Sequence, residues 1–426
     1  DLRNLEASNA FFAGLVSEIH SRGMRVIIDG VFNHCGSFHK WMDREHFYGK
    51  AGGYKAGAYQ HEDSPYRKYF RFREGEKYES WWGFDTLPKL NYEGSLKLCE
   101  EVFAIGAKWV SAPFGVDGWR LDVAADLGHS PAFNHMFWQN FRERVKKVNP
   151  EALILAEHYG DVRSWLQGDQ WDTVMNYDAF MEPISWYLTG MEKHSDEFRP
   201  DRRANSEGFW KQMNENMSRF PGNSLLCAMN QLDNHDHSRF LTRTNRTVGR
   251  LGTAGAYRAA ENVNYALFRA GVMMQMTWPG APTIYYGDEC GVCGWTDPDS
   301  RRTYPWGNED YSLLDFYQYA IRIHKSHAAL KRGSFCRLAG ENGMIAYGRF
   351  TERDKVVILV NAGDYGTHAD ISLAPLGLRR DVNLRRLLHS DAGGYNVGNT
   401  PVHAPNGRLS YDMPPQSAEI LICTGL

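Results

Sequence analysis

Residues 118–122 read Gly-Trp-Arg-Leu-Asp, a short and mainly apolar segment that ends in a carboxylate. Three further segments place carboxyl or imidazole side chains at the end of an apolar run: residues 29–34, Asp-Gly-Val-Phe-Asn-His; residues 156–158, Ala-Glu-His; and residues 234–236, Asn-His-Asp. Buried parallel strands read as apolar runs, and in an α/β barrel they present functional side chains at their carboxyl ends. The four blocks therefore predict an α/β barrel with a site at that edge.

The spacing of the blocks predicts which residues meet. Asp122 and Glu157 lie 35 positions apart, which is one strand-helix repeat, and Asp236 follows about two repeats later. Neighbouring strands would carry Asp122 and Glu157, so that their carboxyl groups face each other across one small substrate. Arg120 shares a strand face with Asp122 and would help keep it ionised. Glu157 closes an apolar run, and partial desolvation would raise its pKa and suit it to proton donation.

In this order the blocks resemble the conserved regions of the α-amylase superfamily (glycoside hydrolase family 13), which are retaining enzymes built on a (β/α)8 TIM barrel. Residues 87–91, Leu-Pro-Lys-Leu-Asn, look like the extra block of the neopullulanase, cyclomaltodextrinase and maltogenic amylase branch. Residues 284–289, Ile-Tyr-Tyr-Gly-Asp-Glu, and residues 297–302, Asp-Pro-Asp-Ser-Arg-Arg, are similar to segments at and after the last barrel strand. The resemblance covers nearly the whole chain.

The resemblance implies roles by motif position. Asp122 would be the nucleophile, Glu157 the acid and base, and Asp236 the third carboxylate, which holds the distorted sugar. The histidines that would bond the same sugar are His34 and His235, and the residues that would support the site are Asp29 and Asn33.

Further residues are expected to bind substrate because of their chemistry and position. Arg120 lies beside the predicted nucleophile, and Trp82 offers a flat apolar face on which a sugar ring could stack, although core packing would use it equally well. Asp299 and Arg302 fall in a proline-bearing loop after the last strand, where they would bind a sugar or merely stabilise the loop. No residue is predicted to bind a metal.

The blocks also indicate how the chain is divided. Residues 24–28 are predicted to form a buried strand, which by resemblance is barrel strand three, so that the N-terminal strands would be missing. Residues 35–93 lose their periodicity and are expected to form a loop subdomain inserted after this strand. Residues 1–330 would form the catalytic barrel, and residues 331–426 a C-terminal antiparallel β-sandwich. The later barrel strands are predicted at residues 173–176, 225–231 and 283–286.

Composition limits the partners and the compartment. The 426 residues carry a formal net charge of −3 without a run of five like charges. The sequence therefore predicts no basic surface for binding nucleic acid. No stretch approaches the ~18 apolar residues of a membrane span, and residues 1–4 do not form a signal peptide. Seven cysteines are few and odd in number, which favours a reducing compartment. We expect a cytoplasmic protein that binds no membrane. A homodimer formed through the missing N-terminal region is left open.

The predicted activity is the retaining hydrolysis of α-glucosidic bonds in maltooligosaccharides, cyclodextrins, pullulan or related α-glucans, with transglycosylation as a side reaction. No cofactor is required, and Ca²⁺ binding is left open because no motif demonstrates it. One alternative is an oligo-1,6-glucosidase-like or other α-glucosidase activity. Others are a non-catalytic relative and a metal-dependent barrel hydrolase that uses His235 and His237. The presence of all three carboxylates favours the glycosidase.

Overall fold

The computed structural model describes residues 5–74 and 77–424. Residues 1–4, for which no signal peptide was predicted, lie outside the described residues. The chain forms two compact units that divide between Met175 and Asn176. Each unit is described by itself below, as the first and the second unit.

The first unit is an α/β structure with four short strands. Its elements are α1 (Leu5–Ser21), β1 (Ile27–Gly30), α2 (Phe47–Ala51), α3 (Leu96–Trp109), β2 (Gly118–Leu121), α4 (Pro131–Val148), β3 (Leu153–Ala156) and β4 (Thr173–Val174). The strands pair in parallel in the order β1-β2-β3-β4. The described residues between 35 and 93 contain α2, two 3-10 turns at Arg67–Tyr69 and Trp81–Gly83, and isolated β-bridges such as that between Ser80 and Pro88.

The sequence specifies the helices of this unit at their ends and on their buried faces. The side chain of Ser95 caps α3, and that of Ser130 caps α4, where Pro131 occupies the first turn. One face of α4 is buried at Phe137, Trp138, Phe141 and Val145. These positions follow the helical repeat, so α4 turns one apolar face inward, where the ring of Phe141 lies 6.4 Å from that of Trp119 on β2.

Strand β1 differs from its prediction. It starts at Ile27 instead of residue 24, and Ile27 is 46% exposed. Within the described residues β1 lies at the edge of its sheet and pairs only with β2. An apolar run predicts a strand but not its place in the sheet, so the expectation of a buried strand was wrong at this end.

The second unit begins with a helical region that contains one parallel strand pair. Its elements are a π-helical turn (Tyr177–Met181), α5 (Glu182–Thr189), α6 (Ser206–Met217), α7 (Gly222–Cys227), β5 (Met229–Gln231), α8 (Phe240–Arg243), α9 (Leu251–Ala254), α10 (Tyr265–Thr277), β6 (Ala281–Thr283), α11 (Tyr311–Ser326) and α12 (Ala328–Arg332). Strands β5 and β6 pair in parallel over three residues each.

Two strand predictions in this region were partly wrong. The strand predicted at residues 225–231 is a helix, α7, as far as Cys227, and only then β5. A short apolar run cannot be assigned to helix or strand from periodicity alone. The strand predicted at residues 283–286 is β6 and ends at Thr283, opposite the last residue of β5. Beyond it the chain turns, and the Asp288 N–H donates to the carbonyl of Tyr285.

An antiparallel β-structure completes the second unit. Its strands are β7 (Ser334–Glu341), β8 (Met344–Phe350), β9 (Lys355–Asn361), β10 (Thr367–Ser372), β11 (Val382–Asp391), β12 (Gly394–Ala404), β13 (Arg408–Met413) and β14 (Ser417–Thr424). Six of them form a sheet in the order β12-β11-β14-β9-β8-β7, and β10 pairs with β13.

The central strands of the six-stranded sheet are buried on both faces. Met344 and Val357 belong to an apolar core shared with β10 and β13, which makes this part a sandwich. Ile345 and Ile358 face the other way, into the core that contains α10 and α11. Because side chains alternate along a strand, one run of apolar residues contributes to two cores.

We predict that Gly118→Ala destabilises the first unit. A Cβ at Gly118 would lie 2.4 Å from the carbonyl oxygen of Leu153, so β2 and β3 would have to move apart. We expect a loss of about 2 kcal/mol, in the usual range for overpacking. Gly14→Ala is the matched control, because it lies in α1 with nothing within 4 Å of the added methyl group. It should gain about 0.5 to 1 kcal/mol. Chemical denaturation followed by circular dichroism checks both, and equal stabilities would contradict the assigned register.

A histidine on the six-stranded sheet predicts a pH dependence. His389 of β11 lies opposite Glu419 of β14, with Nδ1 2.6 Å from Glu419 Oε1 and Nε2 3.1 Å from Asp391 Oδ2. Hydrogen bonding to Glu419 is the main cause that raises the pKa of His389. Because protonated His389 binds these carboxylates, its contribution is complete below the unfolded pKa of about 6.5 and is lost as pH rises through the raised folded pKa. His389→Gln should flatten the fall in melting temperature above pH ~6.5, and an unchanged slope would refute this role.

Candidate active site

The guanidinium of Arg120 is the centre of a charged cluster in the first unit. Its Nη1 donates to Asp29 Oδ1 at 2.9 Å and to Asp122 Oδ1 at 2.8 Å. Its Nη2 donates to Glu157 Oε2 at 2.8 Å. The Arg120 side chain is only 13% exposed. One largely enclosed cation therefore contacts three carboxyl groups that the sequence assigned to the site.

Strand register brings these groups together. Asp29 of β1 lies opposite Arg120 of β2, and Leu121 lies opposite Ala156 of β3. Asp122 and Glu157 are the next residues along their strands. Their N–H groups continue the pattern: Asp122 N–H donates to the Gly30 carbonyl, and Glu157 N–H to that of Leu121. Both carboxyl groups thus stand at the carboxyl edge of neighbouring parallel strands, as predicted.

The charges in this cluster reinforce one another. Burial lowers the pKa of Arg120, but the negative charges of Glu157, Asp29 and Asp122 outweigh burial and raise that pKa further above its usual range. The guanidinium therefore stays charged at neutral pH, and it holds a carboxyl group on each side.

Glu157 is more enclosed than Asp122. Its side chain is 9% exposed, compared with 20% for Asp122. Its Oε2 accepts a second hydrogen bond, at 3.1 Å, from the backbone N–H of Val123. Val123 has a φ of 36°, which a β-branched residue adopts only at a cost in energy. Backbone strain of this kind is concentrated at functional sites, and here it is found directly after Asp122.

His34 lies within electrostatic range of Asp122 and is held in one orientation. Lys89 Nζ donates to Asn33 Oδ1 at 2.5 Å, and the Asn33 amide nitrogen lies 3.2 Å from His34 Nδ1. Because the amide nitrogen can only donate, His34 Nδ1 accepts. Burial lowers the pKa of His34 despite the nearby charge of Asp122, so the ring is neutral at pH 7 and carries its proton on Nε2. His34 therefore offers an Nε2–H donor.

Two tryptophans extend from this histidine. The Trp81 ring is parallel to His34 at 6.4 Å, and the Trp82 ring follows at 5.7 Å. Trp82 is 79% exposed and has a φ of 51°. The alternative of core packing is therefore excluded for Trp82. Its face is open to solvent.

Lys89 was quoted in the sequence only as part of a motif, but it has a structural role at the site. Its ammonium group is buried and also donates to the carbonyls of Asp126 and Leu127. Burial lowers the pKa of Lys89 to about 8. The sequence did contain an indication of this role. Lys89 lies in the mainly apolar segment 87–91, and a lysine that is buried with such a segment must find polar partners.

In the second unit, the predicted third carboxylate lies between a histidine and an arginine side chain. Asp236 Oδ2 is 3.4 Å from His235 Nε2, and Asp236 Oδ1 is 3.4 Å from Arg301 Nη2. Its backbone N–H donates to Asn234 Oδ1 at 2.9 Å. The Asp236 side chain is 38% exposed. The carboxylate is thus fixed in place and open to solvent.

In the loop after β6, Asp299 and Arg302 bind each other, which agrees with the loop-stabilising alternative. Arg302 forms a paired contact with Asp299 and donates to the carbonyl of Ala256. Asp299 is buried and also accepts from the N–H of Trp295. These bonds stabilise the loop, and a sugar-binding role for Asp299 and Arg302 stays a prediction. The arginine beside Asp236 is Arg301. The sequence did not predict this, because two adjacent arginines do not indicate which of them lies near Asp236.

The histidine pair of the metal hypothesis is split between two environments. His235 is partly exposed beside Asp236, whereas His237 is fully buried against the rings of Tyr177 and His194. Burial lowers the pKa of His237 well below its usual value. Over residues 5–74 and 77–424 no group of three or more His, Cys, Asp or Glu side chains has a metal-binding arrangement. In the same part of the chain, no helix is both long and apolar enough to cross a membrane.

Comparison with known proteins identifies the family. Residues 8–304 match the family described as alpha amylase, catalytic domain. The chain belongs to the alpha-amylase family. The predicted fold class, a (β/α)8 barrel followed by an antiparallel β-structure, is thereby confirmed.

Members of this family are similar in sequence to most of the chain. A neopullulanase from Thermoactinomyces vulgaris is 35% identical over 76% of this chain and 48% of its own length. An amylopullulanase from Thermoanaerobacterium thermosulfurigenes is 30% identical over 96% of this chain and 22% of its own length. The solved debranching enzyme from Nostoc punctiforme is 28% identical, with a TM-score of 0.75 over 97% of this chain and 79% of that one. The chain spans about a fifth to a half of the length of these curated relatives.

We predict that Arg120→Met destabilises the first unit in a pH-dependent way. Three carboxyl groups would lose their shared cation, and because this cluster is only partly buried we expect a loss of about 1 to 3 kcal/mol, less than for a fully buried ion pair. The loss at pH 7 should shrink towards pH 5, because the carboxyl groups can then take up protons in the folded state. Unfolding in urea at several pH values measures this.

Arg142→Met is the matched control for this substitution. Arg142 binds Asp172 at 2.7 Å with a similar exposure, but Asp172 also keeps Lys146 at 2.9 Å. The control should lose less stability and show little change with pH. Equal losses in the two variants at every pH would contradict the central role of Arg120.

Proposed function

We propose that this chain is a retaining glycoside hydrolase that cleaves α-glucosidic bonds. Asp122 is the nucleophile, Glu157 the acid and base, and Asp236 the carboxylate that holds the distorted sugar. The observation that carries the proposal is the placement of the Asp122 and Glu157 carboxyl groups on adjacent nitrogens of the Arg120 guanidinium. Two carboxyl groups so close can act on one glycosidic bond.

The electrostatics of the cluster support different protonation states for Asp122 and Glu157. One guanidinium balances only one of three negative charges, which favours a proton on one member. We assign the proton to Glu157, because it is the more enclosed of the two. Asp122 is more exposed and remains bound to Arg120 as a carboxylate. An ionised nucleophile beside a neutral acid is the pair that a retaining glycosidase needs.

The reaction has two balanced steps. In the first, an Asp122 oxygen forms a bond to the anomeric carbon, the glycosidic bond breaks, and the Glu157 proton moves to the leaving oxygen. In the second, Glu157 takes a proton from water, the hydroxyl attacks the anomeric carbon, and the bond to Asp122 breaks. A sugar hydroxyl can replace water in the second step, which gives transglycosylation.

The remaining site residues would bind or support the substrate. The Nε2–H of His34 and the ring of His235 can bond sugar hydroxyls, and the exposed face of Trp82 suits stacking on a sugar ring. Asp29 supports Arg120, while Asn33 orients His34. Asp299 and Arg302 are proposed to bind a sugar from the loop that their own contact stabilises.

The substrates proposed are maltooligosaccharides, cyclodextrins and pullulan. Relatives named neopullulanase and cyclomaltodextrinase, with 35% and 32% identity, support this choice over an oligo-1,6-glucosidase. We further propose a catalytic part at residues 1–330 with an insertion at 35–93, a sandwich at 331–426, a cytoplasmic location and a homodimer. Sedimentation of the full-length polypeptide and its localisation in cells test the last two proposals.

The decisive experiment replaces each carboxyl group separately. Asp122→Asn and Glu157→Gln should each lower kcat on maltotriose by several orders of magnitude while the melting temperature stays close to that of the unchanged protein. Glu157→Gln should retain the first step on an aryl glycoside, whose leaving group needs no proton, and Asp122→Asn should not.

Asp172→Asn is a matched control, since Asp172 is a partly buried carboxylate of the same unit that binds Arg142 and Lys146. It should leave kcat unchanged. Products from maltotriose, β-cyclodextrin, pullulan and starch are separated by chromatography, and the anomeric configuration of the first product is measured by NMR. Near-normal turnover in either carboxyl variant, or inversion at the anomeric carbon, would refute the proposal.

A further inference from the structure

Asp236 is bound to the loop after β6 through its backbone as well as its side chain. The hydroxyl of Thr296 donates to the carbonyl of Asp236, and the N–H of Asp297 donates to the same oxygen at 3.3 Å. The hydroxyl of Ser300 donates to the carbonyl of His235 at 2.7 Å. Two successive peptide carbonyls are therefore held by one loop.

The direction of the Thr296 hydroxyl follows from its partners. A hydroxyl has one proton, and a carbonyl can only accept, so the proton of Thr296 is committed to Asp236. His194 Nδ1 lies 2.9 Å from the same hydroxyl oxygen and must therefore donate to it. Burial is the main cause that lowers the pKa of His194, so its ring is neutral and carries its proton on Nδ1. His194 thus leaves the Thr296 hydroxyl one orientation.

The loop that supplies Thr296 is itself anchored near Asp236. Arg239 is fully buried, and its Nε donates to the carbonyl of Ser300 at 2.9 Å. Its Nη1 donates to the carbonyl of Tyr286 at 2.7 Å and to Asp288 Oδ1 at 2.9 Å. The chain from His235 to Arg239 and the loop after β6 therefore fix each other at both ends.

We propose that Thr296 is a positioning residue for Asp236, and that His194 orients the Thr296 hydroxyl for this purpose. The inference rests on the proposed role of Asp236 as the third carboxylate. The Asp236 carboxylate contacts His235 and Arg301, whereas Thr296 binds the peptide carbonyl of Asp236. It fixes the peptide from which that carboxylate extends, and a displacement of about 1 Å at a reacting group can cost roughly 100-fold in rate.

The test removes the hydroxyl without changing the volume of the side chain. Thr296→Val should lower kcat on maltotriose about 10- to 100-fold, with KM changed only a few-fold, because Asp236 acts on the distorted sugar. Thr296→Ser keeps the hydroxyl and should recover most of kcat. A purely structural bond would instead leave kcat of the folded Thr296→Val protein unchanged.

Thr277→Val is the matched control. Thr277 is fully buried in the same unit, and its hydroxyl donates to the Met273 carbonyl while it contacts Tyr347 Oη at 2.6 Å. Thr277 also lies 3.5 Å from the Met274 carbonyl, and both hydroxyls thus bind backbone carbonyl and side-chain partners. Both valine variants should show a similar decrease in melting temperature, but only Thr296→Val should lose kcat. Equal kcat in the two variants would overturn the proposal.

A double-substitution cycle separates this inference from the proposed function. In an Asp236→Asn background, adding Thr296→Val should cost less than about threefold in kcat, because the carboxylate that it positions is already absent. A full additional loss would show that Thr296 acts elsewhere. If Asp236→Asn alone leaves kcat unchanged, the role of Asp236 is wrong. If it lowers kcat but Thr296→Val does not, only the positioning role is wrong.

Discussion

The contact between Arg120 and three carboxyl groups is the interaction on which the candidate site of the first unit depends. Placing Asp29, Asp122 and Glu157 at one edge of a sheet would be unfavourable without a cation between them, because like charges at close range repel each other and Glu157 is largely removed from water. Arginine suits this place because its planar guanidinium can bind different carboxylates through different nitrogens and does not lose its proton. The register of β1, β2 and β3 then determines which carboxyl groups it meets.

The two units hold their carboxylates by different physical means. In the first, side-chain charge dominates, and the strained backbone at Val123 adds one N–H to Glu157. In the second, the peptide of Asp236 is held by neutral donors on a neighbouring loop, and its carboxylate stays partly exposed. In the proposed mechanism a nucleophile and an acid depend on their protonation states, which neighbouring charges control. The carboxylate proposed to bind the sugar needs a fixed position, for which hydroxyl and backbone bonds are sufficient.

The sequence predicted the carboxyl groups around Arg120 better than the residues that surround them. Asp122 and Glu157 were placed correctly on neighbouring strand ends because parallel register follows from short apolar runs one repeat apart. The limits of the strands were less accurate, since the run at Leu225 forms a helix and β6 ends before Ile284. Arg301, Lys89 and Thr296 were missed for a common reason. Each matters through a partner distant in sequence, and one sequence carries no signal of such pairs.

The two-sided burial of β8, β9 and β14 means that the antiparallel sheet is not a detachable appendage. One face closes its own sandwich, while the other supplies Ile345, Tyr347 and Ile358 to the core that contains the long helices α10 and α11. Cutting the chain near Gly333 would leave an apolar surface on both products, and each would tend to aggregate. Evolution can therefore vary the loops of this region freely, but it cannot exchange the sheet without also redesigning the helices beneath it.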